Sequence, residues 1–300
     1  MKTLLKSLSA GALSLASLGA IATAPVSAAS LTDAAIGGTA SSDYYVYDVN
    51  AAGTNTTLVT SNLANVQKVL DGNANSPTGN VELAASSEQT NFDFTKNTTL
   101  EGKIGGKSLV LSSLTSTDWF STGLGASSTA YGANNLANRW FNDLLNAAGQ
   151  SNVNAPTKAF AYNQFLLIKG FERTSDPNIS YVNQDDTTGL ISIGLAGHLN
   201  LVDAYKLGAN SQIAAFLGSS LQASEVVKYT YDNNQTGYLY SFKATNSGLV
   251  SDDGTNSHNG NYEVTFQGTP GTRSVPVPAA FVGIAIAGAI GALKLKRSKV

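Results

Sequence analysis

The sequence predicts an α+β fold: a single domain with antiparallel sheet and several helices over residues 29–267, followed by a spacer and a C-terminal transmembrane helix. Three observations predict it. Stretches dense in Tyr, Val, Ile and Leu fall in neighbouring pairs joined by turn-forming residues. Segments with helical spacing gather between those pairs and do not alternate with them one for one, which argues against a regular α/β fold. No Pro- or Ser-rich linker and no repeat period divides the body, so its length is read as one domain.

The elements follow in order. Residues 1–28 read as a signal peptide: Met1 to Lys6 is a short positive stretch, Leu8 to Ala22 is apolar, and Val26-Ser27-Ala28 supplies small residues for cleavage. Tyr44 to Val49 has the Tyr/Val density of a strand. Asn62 to Leu70 places Leu63, Val66, Val69 and Leu70 at helical spacing, with Asp71-Gly72 closing the helix. Thr90 to Ile104 alternates through Phe92, Phe94, Thr98, Leu100 and Gly102, and pairs with Ser108 to Leu114 across Gly105-Gly106 as a hairpin. Leu136, Trp140, Phe141, Leu144, Leu145 and Ala148 mark one face of an amphipathic helix that Gly149 ends. Thr157 to Lys169, after Pro156, is apolar on nearly every side and predicts a buried helix.

Beyond Pro177 the pattern returns to strands. Ile179 to Val182 and Leu190 to Leu195 are short and β-rich, separated by a polar turn from Gln184 to Gly189. Leu201 to Leu217 predicts another helix, weakened at Gly208. Glu225 to Tyr231 and Gly237 to Lys243 predict two strands, with Asn261 to Gln267 as a third. Residues 268–274 read as a spacer. The nineteen residues from Val275 to Leu293 would span about 28 Å as a helix, close to the apolar thickness of a bilayer. Lys294, Lys296, Arg297 and Lys299 follow as a basic stop that the positive-inside rule keeps in the cytoplasm.

The order of Val275-Pro276-Val277-Pro278-Ala279, apolar helix and basic tail resembles the PEP-CTERM sorting signals of Gram-negative bacteria, in a variant like Val-Pro-Leu-Pro-Ala, with Val277 standing where the commonest form has Glu. Three segments of the body, Asp176 to Asp185, Ile191 to His198 and Ser251 to Glu263, resemble an uncharacterised family of cyanobacterial PEP-CTERM proteins. The resemblance implies export to the envelope or extracellular matrix of a Gram-negative-type bacterium. It also implies an exosortase-like processing enzyme as a partner and a surface rich in exopolysaccharide. It carries no catalytic residue.

Composition agrees with export. There is no Cys and one Met, so neither disulfides nor thiolate metal sites hold the fold. Removing the signal and the tail takes six cations and leaves 12 against 20 acids, a net charge of −8. That balance argues against nucleic acid as a partner, because phosphate binding needs clustered Lys and Arg.

The residues that carry chemistry give no enzyme signature. His198 and His258 are the two histidines, and no Gly-x-Ser-x-Gly, His-x-x-x-His or His-Glu-x-x-His is present. His198 ends an apolar strand and reads as half-buried; His258 lies in a polar loop and reads as solvated. Asp185-Asp186 and Asp252-Asp253 supply paired acids, but neighbours on an extended chain point opposite ways, and turn chemistry accounts for both. Asp71, Asn73, Asn75 and Glu82 hold positions one, three, five and twelve of a calcium-loop spacing, yet Ser76 stands where the sharp turn needs Gly. Tyr44, Tyr45, Tyr47, Trp119-Phe120 and Trp140-Phe141 offer sugar-stacking surfaces but read first as packing residues. The sequence therefore predicts no catalytic residue, no metal site and no cofactor. It predicts an exported structural, adhesive or polysaccharide-associated module, with a polysaccharide hydrolase using paired carboxylates as the alternative.

Overall fold

The computed structural model describes residues 28–201, 216, 218 and 221–271. The first half of the chain runs through β1 (Ala28–Ser30), β2 (Thr32–Gly38), β3 (Tyr44–Val49), β4 (Asn55–Val59), α1 (Leu63–Val69), β5 (Gly79–Leu83), β6 (Thr98–Ile104) and β7 (Lys107–Ser112). A mainly helical stretch follows, with α2 (Ser116–Phe120), the hairpin β8 (Ser121–Gly123) and β9 (Ala126–Ser127), α3 (Leu136–Ala147) and α4 (Ala155–Leu167). The chain then returns to sheet through β10 (Asn178–Asp185), β11 (Leu190–Gly197), β12 (Val227–Tyr231), β13 (Gln235–Leu239), β14 (Thr245–Asn246), β15 (Val250–Ser251) and β16 (Gly260–Gln267). The fold is mixed α+β and dominated by sheet.

Two sheets carry the architecture. The larger has nine strands in the order β14-β16-β11-β10-β5-β3-β4-β15, with β1 added on β10. The smaller has the order β13-β12-β7-β6-β2. Pairing is antiparallel except between β15 and β4. Because side chains alternate between sheet faces, one register decides what each face holds. Val46, Val81, Ile179, Leu195 and Tyr262 are mutual partners in one row across β3, β5, β10, β11 and β16, and all five are buried in the core they share with Leu100, Leu111 and Tyr229 of the smaller sheet. Phe266 stacks on Tyr229 at 4.3 Å between ring centres, locking sheet to sheet. The adjacent row holds Tyr45, Glu82, Asn178, Ala196 and Asn261 and faces the other way.

A second core lies among the helices. Phe171 is its hub, with ring centres of Trp119 and Phe165 at 5.0 Å, Tyr162 at 5.4 Å, Phe120 at 5.5 Å and Trp140 at 6.1 Å. Trp119 Nε1 donates to Ser175 Oγ at 2.7 Å, so the core also holds the segment leading into β10. Asn side chains cap three helices: Asn62 accepts from Asn65 N, Asn135 from Asn138 N and Asn154 from Thr157 N.

Several sequence expectations meet their elements. Tyr44–Val49 is β3, the helix after Asn62 is α1, and the hairpin across Gly105-Gly106 is β6 with β7. Others are corrected. The strand expected from Thr90 begins at Thr98, because Asp93 accepts from Thr95 N and Thr95 Oγ1 and makes the Phe92–Phe94 stretch a turn. The helix expected from Thr157 to Lys169 is α4, but it is not buried all round: Tyr162 and Phe165 are covered while Phe160 and Leu167 stand 56% and 75% exposed. The spacer starts docked on the body, where Gly268 N donates to Gly189 O at 2.9 Å and Gly271 N to Asp186 O at 3.0 Å. A side chain at Gly189 would meet Pro270 N at 2.5 Å, so that close approach depends on glycine.

The helix expected over Leu201 to Leu217 falls mostly outside the described residues. Residues 1–27 of the signal peptide, the motif Val275–Ala279, the apolar run and the basic stop at Lys294, Lys296, Arg297 and Lys299 lie outside them too. Among the described residues no helix is long and apolar enough to cross a membrane.

The hub position of Phe171 sets a stability test. Phe171→Ala is expected to destabilise the protein by about 3–5 kcal/mol, since it opens a cavity inside an aromatic cluster. Leu124→Ala, at the fully exposed tip of the β8–β9 hairpin, is expected to stay within about 0.5 kcal/mol. Chemical denaturation of the two variants checks both.

Candidate functional site

Tyr45, Glu82 and Asn178 of the outward row of the large sheet line a pocket of about 330 Å³. Glu82 comes from β5, flanked by the buried Val81 and Leu83 of the opposite face, and Asn178 stands beside it on β10. Asn178 binds the third element: its backbone N and its Nδ2 donate to Glu225 Oε2 at 3.0 and 3.3 Å. Glu225 precedes β12, and Val226 N donates to Thr174 O at 2.9 Å, which ties that segment to the loop after Phe171. The same loop delivers Arg173 and Asp176 to the pocket. Pro177 O accepts from Leu83 N at 3.2 Å, fixing Asp176 against the end of β5.

Three carboxyl groups, on Glu82, Asp176 and Glu225, therefore share one pocket while lying far apart in the chain. Asp176 is buried; Glu82 and Glu225 keep part of their surface on the pocket but are otherwise enclosed by protein. Burial, then the charge of Asp176, pushes the Glu82 carboxyl up to about 8, against the opposing bond that Tyr47 OH donates at 3.0 Å. Burial likewise raises Asp176 to about 8, although Ser87 Oγ donates to its Oδ2 and Arg173 lies near. Glu225 is raised well above the ordinary range by burial and by the charges of Asp176 and Glu82.

Aromatic and imidazole rings complete the walls. Tyr45 and Tyr47 stand edge to face at 6.4 Å, and the His258 ring lies 4.6 Å from that of Tyr47. His258 is 3% exposed, so the expectation of a solvated side chain is wrong: the loop folds back on β4 and sets Nδ1 2.6 Å from Thr56 Oγ1. Burial lowers its pKa to about 4, which keeps the ring neutral. His198 is half-buried just after β11, as expected, and reaches the pocket. Trp140 packs in the helical core and also lines the pocket.

The other residues singled out from the sequence do not assemble there. Asp185 Oδ1 accepts from Thr187 N and Thr188 N in the β10–β11 turn. Asp252 takes Thr57 Oγ1, and Asp253 takes Ser251 Oγ and Thr255 N; of the two acids only Asp253 lines the pocket. The calcium-like spacing does not converge: Asn73 Oδ1 accepts from Asn75 N and Ser76 N, while Glu82 turns to Tyr47. Among the described residues no group of three or more His, Asp or Glu is placed to hold a metal ion. Trp119-Phe120 and Phe141 are core residues.

No motif in the sequence marks Asp176 and Glu225 as members of a site, and Glu82 stands out there only as a spacing match. The available signal was an acid embedded in apolar strand sequence, Val81-Glu82-Leu83 and Glu225-Val226-Val227, where burying charge is expensive.

The raised carboxyls predict a pH dependence of known sign. A carboxyl whose folded pKa exceeds its unfolded value favours folding when protonated, and loses that contribution as pH rises through the folded value. The depressed His258 acts oppositely, but only below its ordinary value of 6.5. Between pH 6.5 and 8 the carboxyls act without that opposition, so the melting temperature is expected to fall across this window. Glu82→Gln is expected to flatten the fall, and melting curves at steps of half a pH unit measure it.

Compared with known protein families, curated proteins and solved structures, the chain matches none of them.

Proposed function

We propose that this chain is an exported protein of the cell envelope or extracellular matrix, sorted through its C-terminal segment by an exosortase-like enzyme, and that its body is a polysaccharide-associated binding module. The observation that carries the binding half is the pocket: Glu82, Asp176, Glu225 and Asn178 converge beside the rings of Tyr45, Tyr47 and Trp140. Sugar recognition needs this combination. Hydroxyl groups are held by polar side chains fixed in direction, and the apolar faces of the ring lie against aromatic surface. Glu82 is fixed by Tyr47, Asp176 by Ser87, and Glu225 by Asn178. The sorting half is supported by the sequence from Val275 to Lys299.

A second reading is favoured by the carboxyls themselves. A polysaccharide hydrolase needs one protonated carboxyl to give its proton to the glycosidic oxygen, and one carboxylate to activate the water that attacks the anomeric carbon. A pocket with carboxyls raised to about 8 holds protonated acids near neutral pH, which suits the first role.

Affinity electrophoresis in gels containing exopolysaccharide tests the binding reading. Retardation of the full-length protein is expected, with Glu225→Gln weakening it about tenfold through the loss of a charge-assisted contact. No retardation by any polysaccharide would contradict the reading. New reducing ends that appear with the protein and vanish with Glu225→Gln would replace it by the hydrolase. Intact mass of the protein from envelope and medium tests the sorting: loss of everything beyond the motif at Val275–Ala279 is expected, and a purely membrane-bound species ending at Val300 would contradict it.

A further inference from the structure

The pocket is unbalanced in charge and in hydrogen-bonding capacity, and the two imbalances point the same way. Its wall carries Glu82, Glu88, Asp176, Glu225 and Asp253, whereas Arg173 is the only Lys or Arg among the described residues that line it. Arg173 pairs with Glu88 at 3.3 Å, and Asp253 is taken up by Ser251 and Thr255 in its own turn. Arg173 also lies near Asp176, but one cation does not match the charge of Glu82, Asp176 and Glu225, which among the described residues are left without a full countercharge. His258 supplies none, because its buried ring is neutral.

The hydrogen-bond count is independent of charge. Asp176 is 5% exposed and Asn178 6%, and each has a side-chain oxygen, Oδ1 in both cases, with no hydrogen-bond partner among the described residues. Both are acceptors. Buried acceptors without donors are costly, about 1–3 kcal/mol each, and ask for a ligand that donates. On the pocket wall Trp140 Nε1, on a side chain 1% exposed, is a buried donor with no hydrogen-bond partner among the described residues. A group with several N–H donors and a positive charge answers the first set, and a hydroxyl oxygen nearby answers the second. An ammonium has three donors and no acceptor, and it is attracted to aromatic faces such as those of Tyr45 and Tyr47.

We propose that the pocket takes a sugar unit bearing a free primary amine, whose ammonium is held among Glu82, Asp176 and Glu225 while a hydroxyl reaches Trp140. This rests on the saccharide reading above and narrows it to a polymer with unacetylated amino sugars. The ammonium supplies the missing countercharge, and binding draws the three carboxyls into their ionised form.

Calorimetric titration of the full-length protein in detergent tests it with four probes: a glucosamine trisaccharide, its fully N-acetylated counterpart, a glucose trisaccharide and spermidine. The glucosamine trisaccharide is expected to bind at least about tenfold more tightly than the other three. Glu225→Gln and Asp176→Asn are each expected to weaken it by about tenfold, with little effect on the glucose trisaccharide. Two separate variants, each checked by its melting curve, keep the test valid when one of them fails to fold. Equal or tighter binding of the acetylated or glucose trisaccharide overturns the ammonium claim and leaves the saccharide reading standing. Spermidine binding more tightly than every sugar overturns the amino-sugar claim in favour of a plain amine site. Absence of binding by all three trisaccharides overturns both readings together.

Discussion

The alternation of side chains across β3, β5, β10, β11 and β16 is the constraint on which the rest depends. One row of that register, from Val46 to Tyr262, meets the smaller sheet, and the next brings Tyr45, Glu82 and Asn178 to the pocket. A slip of one residue would exchange them and drive Glu82 into the apolar core, so the core and the site enforce the same pairing. β10 shows how closely this is tuned. A bulge between Ile179 and Tyr181 adds one residue and returns Tyr181 to the pocket-side face, where its hydroxyl donates to Glu263 at 3.1 Å. Its ring lies over Gly194, where any side chain would collide with it at 2.1 Å.

The helical core serves the sheet through one short segment. Phe171 anchors it among the aromatic rings, Ser175 takes the Trp119 indole N–H, Thr174 O receives Val226 N, and Pro177 O receives Leu83 N. Asp176 lies between these ties and has little freedom to relax. Its carboxyl is held in a place that ordinary folding would avoid, which is how binding sites are commonly built: the surrounding structure pays for groups poised for a ligand.

Much of this frame was legible in the sequence because local chemistry decides it. The Tyr/Val alternation of β3, the capped α1, the glycine hairpin of β6 and β7 and the amphipathic α3 each follow from residues close in the chain. The carboxyl site was not legible, because it depends on pairing between segments some fifty to a hundred and fifty residues apart. Glu82 resembled the end of a calcium loop until β5 paired with β10 and turned it toward Asn178. His258 looked solvated in its polar loop until β15 paired with β4 and brought the loop back over Thr56. The outer face of α4 misled for the opposite reason: its composition is apolar, but Phe160 and Leu167 are left uncovered.

The three carboxyls form one electrostatically strained pocket in the ligand-free protein. Carbon-13 NMR of the side-chain carboxyls across a pH titration measures this directly. Glu82 and Asp176 are expected to titrate near 8, and Glu225 well above the ordinary carboxylate range. Three independent titrations near the ordinary value of about 4 would contradict the account, because they would mean that the carboxyls neither share a pocket nor lack a countercharge.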